Sequence, residues 1–489
     1  MGNHSTRHND KLEQKHQQST ATINNKVPKS ISRSTSSNEI EQNFTTNFLP
    51  IDKLSKILAE HSQSEDNIHH GISENVFIKY LFPHYPQLGS RLFKYLVASS
   101  QKNSSQHLGI STFKQQVEKL LSLMNDRIIL DNYVKIYCNS QENSDMTPET
   151  LKELLMISYH SATDSEPNSC PYIHNTIHTV ITSCFHGKET LSISYVSNWL
   201  WQHCPRVVTG IHRMIVHVFT IAYRYGQKLL LTEELQLHME SITPVLEKAV
   251  FFDKPENLLP LSHVWLLSIS LPLIYIQTED PSLDNNTAKI LPISRNPCPS
   301  HWTLLYSSDE HGTGVNRFLH HVLGYRGPTI VTIKGDSGSD QQIIYCICSA
   351  VEWRESHLYW GDDDSVIVEL YPTYKVLQKK SKILYLNTSI RGYPYGLRAG
   401  DDPRNPIINI DQSFHSVDFG GAPHRITSIE VWGCGDRKSR ERQLEVKKWQ
   451  LQEAEKQRVV KLSPNDWLDH PDRYLLELAG RQSYNNAGS

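Results

Sequence analysis

Long apolar runs, a surplus of charge and a secretory leader are all missing from this sequence. Its longest apolar stretch, residues 264–276, contains Pro272. At about 13 residues it is too short to span a bilayer, and it predicts a buried helix that ends near the proline. The 49 lysines and arginines nearly balance 52 aspartates and glutamates, so we expect no nucleic-acid partner. No apolar secretory segment follows Met1, and the length of 489 residues predicts two or three domains.

Catalytic and metal-binding patterns are also scarce. The sequence has no nucleophile–base motif and no phosphate-binding loop, and its eight cysteines form no C-x-x-C pair. We interpret these cysteines as reduced thiols that pack as small apolar side chains. One cluster approaches the spacing of a zinc site: Cys170, His174, His178 and Cys184. Only its histidine pair fits the spacing that zinc prefers, so we expect ordinary core or surface residues here, and no metal or cofactor.

The first residues, MGNHST, carry a lipidation pattern. With Met1 removed, Gly2 heads the sequence G-x-x-x-[ST], with Thr6 in the required place, which predicts N-myristoylation. Residues 1–45 are polar, so we expect an unstructured tail with an accessible glycine. One myristoyl chain gives only marginal membrane affinity, and no cysteine precedes Cys138 to carry a second lipid. The prediction is a reversible, peripheral membrane contact.

Residues 46–160 contain a degenerate helical repeat. Ile72, Ile110 and Met146 each precede a Ser or Thr and an amphipathic segment, at spacings of 38 and 36 residues. Such spacing is typical of EF-hand helix–loop–helix units. The calcium ligands are missing, because Glu65 is the only carboxylate at the first, third, fifth or twelfth position of any of the three loops. We predict an EF-hand-like domain without calcium; an ordinary helical bundle is the alternative. Further helices are expected over 161–290, with an apolar stripe within 209–226.

Residues 291–435 have the alternation of a half-buried β structure. Turn sequences separate segments rich in Val, Ile, Tyr and Trp. The predicted strands are 303–306, 329–334, 342–350, 365–371, 382–386, 407–410 and 427–432. A helix with the face Val315, Phe318, Leu319 and Val322 lies between the first two. This pattern predicts a two-sheet sandwich, and the whole chain is of the α+β class.

The order of landmarks in this region resembles the TLDc domain. The landmarks are WTLLYSS (302–308), RGPT (326–329), a Ser-x3-Trp segment, VIVELYP (366–372) and EVWG (430–433). The resemblance implies a non-catalytic β-sandwich flanked by helices. The chain departs from the family at 343–349, where IIYCICS replaces a glycine–aromatic pair, and in the loosened glycine-rich loop at 391–406. We predict partner contacts by Trp353, Tyr359 and Trp360, the aromatic residues near the turn at Gly361. An uncharacterised hydrolase using the carboxylates at 362–364 and Glu369 is the less favoured alternative.

The tail, residues 436–489, predicts a charged helix with a thin apolar stripe at Leu444 and Leu451. Such a helix is either a solvated extension or a partner-binding element. With this tail and the MGN start, the whole chain is similar to a myristoylated branch of the TLDc family associated with lysosomes and mTOR signalling. The resemblance implies a non-enzymatic regulator at the cytosolic face of the lysosomal membrane and in the cytoplasm. Its implied partners are the vacuolar proton ATPase and mTOR-pathway proteins. An oxidative-stress-protective role is the alternative.

Overall fold

Helices build the N-terminal half of the protein. The computed structural model describes residues 51–69, 71–99, 107–138, 145–163, 170–229, 257–276, 298–336, 338, 342–458 and 478–479. Gly2 lies outside these residues, so its myristoylation stays a prediction. The described helices are α1 Ile51–Asp66, α2 Glu74–Leu81, α3 Pro86–Ala98, α4 Ile110–Leu121, α5 Asp126–Tyr137, α6 Pro148–Thr163, α7 Ile173–Phe185, α8 Ile193–His203, α9 Thr209–Leu229, α10 Leu261–Ser270, α11 Ser308–His311, α12 Val315–Val322 and α13 Arg437–Arg458. Of these described helices, none is long and apolar enough to cross a membrane.

Short antiparallel pairings tie the first eight helices into EF-hand-like pairs. Strand β1 (Gly71–Ile72) pairs with β2 (Leu108–Gly109), with Ile72 opposite Leu108. A second bridge joins Met146 to Leu191. The predicted repeat aligned Ile110 with Ile72, but the residue that pairs with Ile72 is Leu108, two positions earlier, because Ile110 is already the first residue of α4. Leu191 reveals a fourth unit, α7–α8, which the sequence interpretation placed in a general helical region.

The corrected register leaves the calcium expectation in place. With Leu108 at the eighth loop position, the first, third, fifth and twelfth positions are Gln101, Asn103, Ser105 and Thr112. With Leu191 there, they are Cys184, His186, Lys188 and Tyr195. None of these side chains is a carboxylate, and Ca²⁺ needs several. Absence of calcium binding therefore stays the prediction for all four units.

Helix α9 passes through the core of the helical half. The Phe219 ring lies 6.4 Å from Phe77, 6.2 Å from Phe82 and 6.0 Å from Phe113, measured between centroids. The predicted apolar stripe is confirmed for its described members, since these four are buried: Ile211, Met214, Ile215 and Val218. One helix thus contacts the first two EF-hand-like units and fixes them on the rest of the chain.

The β region contains ten strands within its described residues. They are β3 Thr303–Ser307, β4 Thr329–Asp336, β5 Gln342–Ser349, β6 Val366–Tyr371, β7 Lys375–Lys379, β8 Leu384–Asn387, β9 Gly396–Ala399, β10 Ile408–Ile410, β11 Ser416–Phe419 and β12 Ala422–Gly433. All seven predicted strands and the predicted helix α12 are confirmed. Three strands were missed, β7, β9 and β11, each of five residues or fewer.

One hydrogen-bonded ladder replaces the two separate sheets that the sequence predicted. The strand order is β7-β6-β5-β4-β12-β11-β10-β9-β8, with β3 also on β12. Side chains from both halves of this ladder belong to one buried cluster, which includes Val331, Ile347, Ile367, Leu397, Ile408 and Val417. The sheet therefore folds back on itself, helped by the register shift in β12 between Ile426 and Ser428. The predicted sandwich layers exist, but they are continuous.

The other face of β5 and β6 packs against the helices. Cys346, Cys348, Val366 and Val368 belong to the same buried cluster as the helical half, which confirms that the two cysteines are core residues. Polar contacts fix this packing at the edge strand. Tyr374 Oη donates to His203 O at 3.2 Å and also bonds Ser270.

Two further bonds reinforce the joint between the halves. The backbone N–H of Val376 donates to His203 Nδ1 at 3.1 Å. Trp302 Nε1 donates to Tyr275 O at 2.7 Å. The segment that carries Tyr275 follows α10, which is buried and ends at Ser270 before Pro272, as predicted. The helical half and the sheet are therefore joined by both apolar packing and directed bonds.

Candidate interaction surface

Two of the three predicted contact residues are core residues. Trp353 and Trp360 are each 2 % exposed, and their rings meet edge to face at 5.3 Å. Trp353 Nε1 donates to Thr329 Oγ1 at 2.7 Å, and Trp360 exchanges backbone hydrogen bonds with Leu384. A folded β region does not present these two side chains to a partner. Only Tyr359, which is half-buried, remains a candidate contact.

Exposed apolar side chains do lie beside that turn. Leu358 is 64 % exposed and Tyr393 is 45 % exposed, and the ring of Tyr393 lies 5.1 Å from that of His357. Sequence reasoning missed Leu358, although its place between two core tryptophans gives a signal. Residues 351–359 belong to no strand, and the side chain of Leu358 points away from the core that holds the two tryptophans.

The acidic turn after Trp360 has a structural role. Gly361 takes a positive φ of 116°, and a Cβ there would lie 2.8 Å from Ser365 Oγ. Ser365 Oγ donates to the carboxylate of Asp362 at 3.1 Å, and Lys379 Nζ lies 3.5 Å from Asp364 Oδ1. Glu369 accepts a hydrogen bond from Thr373 at 2.8 Å. These contacts use the carboxylates to hold the turn and the neighbouring strands.

The structure separates the histidines from the cysteines of the cysteine–histidine cluster. Cys170 precedes α7, and the other three residues lie on it. Cys170 and Cys184 are buried, whereas His174 and His178 are exposed. Across the described part of the chain, no group of three or more His, Cys, Asp or Glu side chains is placed to hold a metal ion.

Helix α13 begins from a rigid socket on the β region. The buried ring of Tyr325 lies among glycines, and its hydroxyl accepts a hydrogen bond from Gly435 N at 2.8 Å. A Cβ at Gly433 would lie 2.7 Å from Tyr325 Cζ, so only glycine allows this approach. Asp436 then caps the helix, because its Oδ1 accepts from Ser439 N at 2.8 Å.

Hydrogen bonds from the side chain of Gln443 hold the second turn of α13 against α12. Its side chain is 1 % exposed, and its Nε2 donates to His321 O and Leu323 O, both at 3.0 Å. These carbonyls lie at the C-terminal end of α12, where helical carbonyls lack partners within the helix. Arg440 bonds the Oε1 atom of Gln443. The start of the tail helix is thus part of the folded β region.

Beyond Gln443 the helix exposes apolar side chains. Leu444 is 50 %, Val446 43 %, Trp449 63 % and Leu451 61 % exposed. The thin stripe at Leu444 and Leu451 was predicted, whereas Trp449 was not singled out. Exposed tryptophan and leucine on a helix anchored at one end are typical of an interaction surface. Leu444 and Leu451 share one side of the helix, and Val446 and Trp449 lie on the other side. We call these four exposed side chains together the tail face.

We expect Gln443→Ala to loosen α13 while the sheet stays folded. The change leaves two carbonyls without their donor, which costs about 1–3 kcal/mol. Hydrogen–deuterium exchange should show faster exchange in the first turns of α13 and little change in β4 and β5. Gln450→Ala, an exposed glutamine on the same helix, is the matched control. Equal exchange in both variants would show that the hydrogen bonds of Gln443 do not hold α13 on α12.

Comparison with known proteins agrees with the fold. Residues 285–435 match the family model of the TLDc domain. Relatives named "Restriction of telomere capping protein 5" include one from Leptosphaeria maculans, 26 % identical, with the match covering 38 % of this chain and 41 % of that protein. One from Pyricularia oryzae is 25 % identical and covers 38 % and 41 %. One from Lachancea thermotolerans is 26 % identical and covers 76 % of this chain and 74 % of that protein. The chain thus spans about two fifths of the first two relatives' length.

Proposed function

We propose that this chain, which carries a TLDc domain at residues 285–435, is a non-enzymatic adaptor at the cytosolic face of the lysosome. In this proposal it binds the vacuolar proton ATPase and acts in mTOR signalling, and myristoylated Gly2 provides a weak, reversible membrane contact. The family resemblance supports the choice of partner. The surface of the protein supports the role of adaptor.

The tail face is the observation that carries the proposal. Helix α13 is fixed at Tyr325 and Gln443, yet it presents Trp449 at 63 % and Leu451 at 61 % exposure. Burying such side chains in a partner is favourable, at about 25 cal/mol per Å² of apolar surface. Because the helix is held rigidly at its start, little ordering cost opposes binding. The tail face can therefore act as a preorganised anchor for another protein.

Tyr359, Leu358 and Tyr393 offer a second contact surface on the β region. Leu358 and Tyr393 are well exposed, and the ring of Tyr359 lies 5.1 Å from that of Tyr385. Rigid aromatic side chains on a β scaffold are frequent energetic anchors at interfaces. Two separate surfaces suit an adaptor, because two linked contacts bind a partner with a higher overall avidity than either contact alone.

Two alternative functions have weaker support. A hydrolase would need free carboxylates around one substrate, whereas Asp362, Asp364 and Glu369 are engaged in structural contacts. An oxidative-stress role through thiol chemistry would need accessible thiolates. The eight cysteines are buried and free, and burial raises the pKa of Cys204 and Cys298 to about 12.

We expect the double change Trp449→Ala with Leu451→Ala to abolish most binding to the proton ATPase. Removing two exposed anchors should weaken the complex by about tenfold or more. The measurement is co-precipitation from detergent-solubilised lysosomal membranes, followed by immunoblotting for proton ATPase subunits. The matched control is Gln450→Ala with Gln452→Ala, which changes exposed polar residues of the same helix.

Two results would overturn the proposal. One is recovery of the ATPase at wild-type levels with the double variant and with a further Leu358→Ala, Tyr393→Ala variant. The other is a wild-type protein that recovers no ATPase subunit. Circular dichroism should show unchanged secondary structure in each variant, because the substituted side chains are exposed and make no core contacts.

A further inference from the structure

A group of basic side chains lies where α13 meets α12. We call His311, His320, His321, Arg440 and Lys447 the basic junction. The ring centroids of His311 and His321 are 3.9 Å apart, and those of His320 and His321 are 5.1 Å apart. Three imidazoles thus sit within contact distance at one end of α12.

Helix α13 contributes the other two members from a single face. Arg440, Gln443 and Lys447 are spaced i, i+3 and i+7, so they share one side of the helix. The bonds from Gln443 to His321 O and Leu323 O hold that side against the end of α12. Both Arg440 and Lys447 are partly buried by this contact.

Helix capping does not account for these cations. Basic side chains often stabilise a helix C-terminus by interacting with its free carbonyls. Here the amide of Gln443 already satisfies two of those carbonyls. Arg440 and Lys447 are therefore not needed to cap the eight-residue α12.

Acidic partners are missing from the junction within the described residues. The recorded ion pairs of α13 join Arg437 to Glu441 and Lys456 to Glu453, and none reaches Arg440 or Lys447. Asp436 is occupied as the cap of Ser439. On α11, Asp309 accepts from Ser308 and Ser428.

The electrostatic environment of the junction reflects this imbalance. Burial lowers the pKa of His321 to about 4, and His311, His320, Lys447 and Arg440 all add to that effect. Burial, with help from Arg440, lowers the pKa of Lys447 to about 8. Like charges held together without a counter-ion are stabilised when an anion binds.

We propose that the basic junction binds the carboxylates of an acidic segment on a partner protein. A protein segment fits better than a lone phosphate, because the tail face continues from the junction along the same helix. Leu444 and Leu451, each four residues beyond a junction cation and exposed on the same side of the helix, can take the apolar side chains of a segment whose carboxylates meet Arg440 and Lys447. The inference rests on the proposed adaptor function only in assuming that the partner is a protein.

Proton uptake should accompany this binding. Bound carboxylates favour the charged form of Lys447, whose pKa burial lowers to about 8, so the complex gains protons as it forms. The other charged or titratable groups facing the junction are Arg317 on α12, which bonds His311 O, and Tyr306 on β3. Burial raises the pKa of Tyr306 to about 12, so Tyr306 stays neutral between pH 7 and 9. Binding should therefore tighten as the pH falls from 9 to 7.

The test uses the full chain and a fluorescein-labelled peptide of Glu-Glu-Leu repeats. Fluorescence anisotropy at low salt measures its affinity, and a Gln-Gln-Leu peptide reports binding without charge. Arg440→Gln with Lys447→Gln should weaken binding by about tenfold. Arg442→Gln with Lys456→Gln removes the same charge from the same helix outside the junction and should change it less than about twofold. The single change Lys447→Gln serves if the double variant folds poorly.

Wild-type affinity should rise several-fold between pH 9 and pH 7, and the junction variant should lose most of that rise. Equal losses in the junction and control variants would overturn the proposal, as would equal binding of the two peptides. Vesicles containing phosphatidylserine form a further arm. Junction-dependent vesicle binding without peptide binding would assign the site to a lipid headgroup instead. Failure of the peptide assay while the ATPase still co-precipitates would sink this inference alone and leave the proposed function standing.

Discussion

Lowering the pH from 7 to 5 should remove about 4 kcal/mol of stability through two buried histidines. His203 is 9 % exposed and His212 2 % exposed. Burial lowers the pKa of each from 6.5 to about 4, with Lys375 adding to the effect at His203. Below pH 6.5 these two histidines bind protons in the unfolded chain but stay neutral in the native protein. The stability is therefore complete above pH 6.5, and about 2 kcal/mol per histidine is lost by pH 5.

The position of His203 gives this loss a structural consequence. Its Nδ1 accepts the Val376 N–H, and its carbonyl accepts the Tyr374 hydroxyl. A protonated Nδ1 cannot accept, so acid acts directly on the joint between α8 and β7. Domains of this kind have a net stability of about 5–15 kcal/mol, so a loss of about 4 kcal/mol is a large fraction.

Urea unfolding followed by circular dichroism at pH 7, 6 and 5 measures the effect. His203→Asn offers a non-titrating acceptor at a similar place and should remove about 2 kcal/mol of the loss of stability. His174→Asn changes an exposed histidine of α7 and serves as the control. A midpoint that is constant between pH 7 and 5 would show that these histidines do not limit the stability of the fold.

Local patterns predicted the EF-hand-like units better than they predicted the pairing between them. Ile72 and Met146 were identified correctly because each directly precedes a helix cap. Ile110 was aligned with Ile72 although Leu108 holds that place, and only the long-range partner distinguishes these two apolar residues. Leu191 was missed because its unit follows at a longer spacing than the others, and a search at fixed period overlooks it.

The three missed strands lack the clear sequence pattern of a strand, and their pairing partners in the folded sheet define them. β7 is half-exposed along most of its length, and β9 has only four residues, GLRA. β9 has no β-branched residue and β7 has only Val376, whereas the confirmed strands are richer in such residues. The continuous ladder could not be predicted either, because it depends on how the twelve-residue β12 bends.

The candidate surface was predicted in its chemistry but only partly in its residues. The tail helix and its Leu444–Leu451 stripe were recognised, since composition alone reveals a charged helix. The hydrogen bonds of Gln443 join segments about 120 residues apart, and the basic junction depends on the same packing. No local sequence pattern encodes such contacts. For Trp353 and Trp360, the sequence shows that the side chains are aromatic but not that they enter the core.

Replacing Trp353 by alanine should destabilise the β region by about 3–5 kcal/mol. The side chain is 2 % exposed, and its ring lies 5.9 Å from Phe318 and 5.3 Å from Trp360, edge to face in both contacts. The change also removes the donor to Thr329 Oγ1, and Thr329 is fully buried. A large cavity and a lost hydrogen bond therefore act together.

Tyr359→Ala separates this core role from a contact role. Tyr359 is half-buried, so its loss should cost only about 1 kcal/mol of stability while weakening partner binding if the residue is an anchor. Urea unfolding monitored by tryptophan fluorescence measures both variants, and Trp353→Phe should give an intermediate value because it keeps part of the ring. A Trp353→Ala protein as stable as wild type but deficient in binding would reverse the assignment, because it would make Trp353 a contact residue rather than a core residue.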